Sequence, residues 1–129
     1  MIVKKPVLPG RIRKVPKSFS WIDHRLVRNG YIERCSHAAG ILYLFLVCVG
    51  DDKGLSYYSD QSLMKKLSMD QRTFENARAD LVRIGLVAWK HPLYQVLCIE
   101  QILEQNHQPT GSSMSLGQIL RNAMEVRHD

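Results

Sequence analysis

The sequence predicts a mainly helical α+β domain carrying one small β-hairpin, and three observations predict it. Apolar residues recur at three- and four-residue spacing in several segments between Ser36 and Ile84. Two stretches rich in β-formers, Leu86–Lys90 and Tyr94–Ile99, flank Lys90-His91-Pro92-Leu93, the pattern of a hairpin. The chain has 129 residues, 45% of them apolar and 23% charged, which suits one ordinary core plus tails.

The elements follow in chain order. Ser20 is positioned to cap a helix over Trp21–Asn29, with Trp21, Leu26 and Ile22 on one face and Gly30 as its stop. Tyr31–Cys35 is a connector. Ser36 caps a second helix, in which Ile41, Leu42, Leu44, Phe45, Val47, Cys48 and Val49 are apolar nearly all round, so it belongs in the centre of the domain. Gly50 closes it, and Asp51-Asp52-Lys53-Gly54 forms a turn into a strand, Leu55–Tyr58. Ser59 or Asp60 caps a helix running to about Leu67, with Leu63, Met64 and Leu67 inward. After Ser68-Met69-Asp70, the residues Phe74, Ala77, Leu81 and Ile84 form one stripe along a helix, Asp70–Ile84, which Gly85 stops. Residues 104–114 are polar and read as a linker. Ser115 then caps a last amphipathic helix, 115–129, whose face of Leu116, Ile119, Leu120, Ala123 and Met124 is open to the same core or to a homodimer partner.

Charge divides the chain further. The net charge is +6, and residues 1–18 alone hold Lys4, Lys5, Arg11, Arg13, Lys14 and Lys17 with no acid. Residues 19–100 carry ten basic and nine acidic groups, and residues 101–129 carry two and three, so the remainder cancels. The first 18 residues are therefore expected to form a basic arm, broken by Pro6, Pro9 and Pro16, ahead of a domain over 19–103. Such an arm suits a polyanion through counterion release, or serves only as a solubilising terminus. No segment reaches the roughly 18 apolar residues of a membrane span, and no signal-peptide centre follows the arm. A cytoplasmic protein without a membrane partner is expected. Cys35, Cys48 and Cys98 are odd in number and widely spaced, which predicts reduced, mostly buried thiols.

The order helix, strand, helix, turn, helix and hairpin is that of a winged helix-turn-helix. Within it, Leu67, Thr73, Phe74, Ala77, Leu81, Gly85, Leu86 and Val87 make the stretch Tyr57–Val87 similar to that segment of bacterial transcription regulators and plasmid or phage replication initiators. The resemblance spans roughly Ser36–Ile99. It implies double-stranded DNA as the partner and Asp70–Ile84 as the recognition helix. Arg78 departs from the pattern, standing where those families usually carry an apolar residue.

Periodicity leads to the same helix independently. With Phe74 at the centre of the inward face, Arg72, Asn76 and Arg83 fall within roughly 20° of the opposite direction. Gln71 and Thr73 occupy the first turn, where a recognition helix meets base edges. Arginine suits guanine, and asparagine or glutamine suits adenine, because each forms two hydrogen bonds of fixed geometry. Lys65 and Lys66 on the preceding helix, Lys90 and His91 on the wing, and Arg11, Arg13, Lys14 and Lys17 on the arm suit phosphates. The competing reading is a solvated face, favoured by Glu75 and Asp80, on a module that binds protein instead.

Other chemistries find little footing. The glycines do not form a phosphate-cradling loop. The five histidines are dispersed, and the Asp51-Asp52 turn lacks the later ligands of a calcium loop, so neither metal nor cofactor is expected. Cys35-Ser36-His37 does not form a catalytic pair, because adjacent side chains diverge and Ser36 is accounted for as a cap. An enzyme is not expected.

Overall fold

A computed structural model describes residues 3–99. The expected linker over 104–114, the terminal helix over 115–129 and its dimer face lie outside the described residues. Four helices and a three-stranded antiparallel sheet make up an α+β domain: α1 (Arg25–Arg28), α2 (His37–Val49), β1 (Leu55–Tyr57), α3 (Asp60–Leu67), α4 (Gln71–Arg83), β2 (Val87–Lys90) and β3 (Leu93–Val96). Short 3-10 turns cover Pro9–Arg11 and Ile32–Arg34.

Three side-chain caps fix the helix starts. The Ser36 hydroxyl accepts from the Ala39 amide at 3.1 Å, Ser59 accepts from Ser62 at 3.1 Å, and the Asp70 carboxylate accepts from Thr73 at 2.8 Å. Gly85, at φ +83, ends α4 in a left-handed turn. There the Leu86 amide donates to the Leu81 carbonyl and the Gly85 amide to that of Val82, so two otherwise orphaned carbonyls are satisfied. The same turn ends α3, but with Ser68 in the left-handed position at φ 55.

The first helix is shorter than its apolar spacing suggested. Asp23, not Ser20, organises it: the Asp23 carboxylate takes the Arg25 amide at 2.9 Å and pairs with the Arg25 guanidinium at 2.7 Å. Trp21 consequently lies before the helix and is 74% exposed, contrary to the inward place expected for it, while Leu26 is buried.

The core forms where α2 packs on α4. Ala39, Leu42 and Leu46 of α2 meet Phe74, Ala77 and Leu81 of α4, and Leu63, Leu86, Val87 and Tyr94 close around them. Among the described residues nothing covers the far side of α2, which differs from the expectation of a helix at the centre of the domain. Ile41 and Leu44 are about half exposed there, and with Ile22, Leu26 and Ile32 they line an apolar groove of about 480 Å³ between α1 and α2. The cysteines also differ from expectation: Cys48 and Cys98 are exposed and Cys35 is half-buried. No helix among the described residues is long and apolar enough to cross a membrane.

β3 lies between β1 and β2, and both pairings are antiparallel. The register puts Trp89 opposite Tyr94 and Ser56 opposite Tyr94, so Val87, Trp89, Tyr94 and Ser56 share the face turned to the helices. Gly54 makes the return from α2 to β1 fit, since a Cβ there would stand 2.7 Å from the Val96 carbonyl oxygen. The β2–β3 loop is His91-Pro92 alone, joined by a cis peptide bond.

Candidate nucleic-acid interface

α3 and α4 are joined by Ser68, Met69 and Asp70, and the burial of Phe74, Ala77 and Leu81 decides which side of α4 remains open. Gln71, Arg72, Thr73, Glu75, Asn76, Ala79, Val82 and Arg83 are exposed. Every α4 residue expected on the outward stripe is therefore on the surface. Their position along the axis separates them. Gln71, Arg72, Thr73 and Asn76 lie in the first two turns, whereas Arg83 is the last residue of the helix, about 10 Å beyond Asn76 and about 16 Å beyond Arg72 at 1.5 Å per residue.

Neighbouring acids temper this face. Gln71 Nε2 donates to Glu75 Oε2 at 3.0 Å, and Arg83 Nη2 pairs with Asp80 Oδ1 at 2.7 Å. Hydrogen bonding from Arg83 holds the Asp80 carboxyl below its ordinary range, and the amide of Thr73 does the same for Asp70. Asp80 also receives the Ser36 amide at 3.4 Å, which links the end of α4 to the start of α2. Arg83 thus belongs to that corner of the domain.

Lys65 and Lys66 are exposed on the last turn of α3, next to the turn that leads into α4. Lys90 and His91 are exposed at the hairpin tip. Arg11, Arg13, Lys14 and Lys17 lie in a segment, residues 3–20, that is exposed throughout. The arm is not uniformly polar: Val7 is 93% exposed and Phe19 64%.

The departure at Arg78 has a structural explanation that sequence reasoning missed. Arg78 is only 8% exposed. Its Nη1 donates to Asp60 Oδ1 at 2.8 Å and to the Tyr94 hydroxyl at 3.0 Å. The guanidinium carbon lies 3.6 Å from the centre of the Trp89 ring and 4.8 Å from that of Phe74, so the flat cation stacks within an aromatic enclosure. Burial opposes the charged form, but the bonds to Asp60 and Tyr94 outweigh it and the guanidinium titrates above its usual value. Burial pushes the Tyr94 phenol up as well, against the lowering influence of Arg78. The signal available in the sequence was an arginine one turn after Phe74, beside Ala77, with Trp89 and Tyr94 placed only as hairpin strand residues and Asp60 only as a possible helix cap.

No group of three or more histidine, cysteine, aspartate or glutamate residues is placed to hold a metal ion among the described residues. Set against known proteins, the chain matches no family model, no curated sequence and no solved structure.

Proposed function

We propose that the domain is a winged helix-turn-helix that binds double-stranded DNA, with α3 and α4 as the helix-turn-helix and β2–β3 as the wing. The observation that carries this reading is the division of α4. One side is committed to the core through Phe74, Ala77 and Leu81, while Gln71, Arg72, Thr73 and Asn76 stand exposed at its amino-terminal end. A helix presented in this way has the width and the donors to enter a major groove end first. Lys65, Lys66, Lys90 and His91 lie on the elements that flank α4 in the chain and suit the phosphate backbone, and the arm supplies six more cations without an acid. A regulator of transcription and a component of replication initiation would both use such a surface.

A second reading has its own support. The exposed side of α4 is close to neutral, because Glu75 and Asp80 occupy Gln71 and Arg83, and Val82 is 45% exposed on it. A face of that kind also fits a protein partner. Selection of bound duplexes from a random pool, followed by a salt titration on the selected site, decides between them. Six to ten phosphate contacts lower affinity by about 10³–10⁵ between 50 and 200 mM salt. Recovery of a defined motif with that steep dependence supports DNA recognition, and a pool that yields no motif overturns it.

A further inference from the structure

The Arg78 enclosure ties together four elements that the DNA reading needs in fixed relation. Asp60 opens α3, Arg78 and Phe74 lie on α4, Trp89 is on β2 and Tyr94 is on β3. The position of the grip along the hairpin is informative. Leu86 and Val87, at the base of β2, are buried in the main core. Trp89 and Tyr94 form the cross-strand pair next to the tip pair, Lys90 and Leu93, beyond which only His91 and Pro92 remain. Arg78 therefore holds the hairpin one residue pair from its tip.

We propose that Arg78 is a positioning residue, which locks the outer end of the β2–β3 hairpin to α3 and α4 so that Lys90 and His91 meet the same duplex as Arg72 and Asn76. The inference rests on the DNA reading for what the tip contacts, but the locking itself is a property of the free protein. An aliphatic residue at position 78 would pack on Phe74, as the sequence pattern leads one to expect there. It could not bond the Tyr94 hydroxyl or Asp60, and it would leave that hydroxyl buried without its donor. Lysine could reach Asp60, yet it lacks the planar face that stacks on Trp89.

The test uses the full chain and the variants Arg78→Met and Arg78→Lys, the latter retaining a folded, charged alternative if the former fails to fold. Amide hydrogen exchange in the free protein is measured first. The locking role predicts exchange at least tenfold faster, relative to the Leu42 and Leu46 amides of α2, for the bonded amides of β2 and β3 near the tip. Uniform acceleration across the domain overturns it, because a general loss of stability affects all these elements together. Binding to the selected duplex is measured next, alone and with Lys90→Ala. The parent should lose affinity on Lys90→Ala, whereas Arg78→Met should lose little more, since its tip is no longer held in place. Equal loss in both backgrounds means that Arg78 does not act through the tip. A parent that binds no duplex removes the DNA reading, and the exchange result still decides whether Arg78 locks the hairpin.

Discussion

Removing the Phe74 ring would open a cavity where α4 meets α2, because Phe74 is fully buried among Leu42, Leu46, Leu63 and Leu81. Phe74→Ala should destabilise the domain by about 3–5 kcal/mol, as read from denaturant unfolding, and should also strip Arg78 of one wall of its enclosure. A loss below about 1 kcal/mol would mean that the α2–α4 contact is not the core. Ser68 offers the opposite expectation. Its left-handed backbone costs an L-residue roughly 1–2 kcal/mol, and glycine gives back about 0.5–1 through the freedom of the unfolded chain, so Ser68→Gly should stabilise by roughly 0.5–1 kcal/mol. Melting curves check it, and a lower midpoint contradicts it. Phe74 could be placed from the sequence because its burial follows from helical period alone. Arg78 could not, since its partners Asp60, Tyr94 and Trp89 lie 18, 16 and 11 positions away on other elements whose approach only the fold establishes.

At the scale of elements, local chemistry made the helix starts readable wherever a short polar side chain preceded an apolar period. Ser36 caps as expected and Ser59, rather than Asp60, caps α3, while Asp70, expected as the first residue of its helix, proves to be the cap of α4. α1 differs because Ser20, expected as its cap, is too early, and the Asp23 carboxylate fixes the start instead by bonding both the amide and the guanidinium of Arg25. The Leu55–Tyr58 and Tyr94–Ile99 expectations were too long at their ends, whereas the β1–β3 pairing was not expected at all, because strand neighbours distant in sequence leave no local trace. The caps and pairs also predict an acid response. The Arg25 guanidinium lowers the Asp23 carboxyl from 3.8 to about 2, and the Thr73 amide lowers that of Asp70. A carboxyl depressed in the folded state stabilises above its unfolded value, and that contribution disappears as pH falls through the folded value. Stability should therefore decline from about pH 4 towards pH 2. Asp23→Asn should flatten that decline, as measured by denaturation at several pH values, and an unchanged slope would show that Asp23 is not held by Arg25.

For the whole molecule, charge and core are separated along the chain. Residues 3–20 are exposed throughout and hold the +6 excess, while every buried apolar side chain of the described residues lies between Leu26 and Ile99. Deleting residues 1–18 should leave the melting midpoint nearly unchanged, weaken binding to selected and scrambled duplexes alike, and reduce the salt slope. An unaltered slope would show that the arm does not touch DNA. The α+β composition was legible because each helix and the hairpin carry their own period. The open side of α2 was not, since an apolar helix looks the same in sequence whether its far side is covered or bare. The proposed reading of base pairs by the amino-terminal half of α4 is tested most directly by the affinity of Arg72→Ala and Asn76→Ala for the selected duplex and for a scrambled one. Both residues are exposed, so each variant should keep its stability within about 0.5 kcal/mol. The account predicts that each loses about 1–3 kcal/mol of binding on the selected duplex and little on the scrambled one, with preference relaxed at one base position; undiminished preference for the selected duplex in both variants would contradict it.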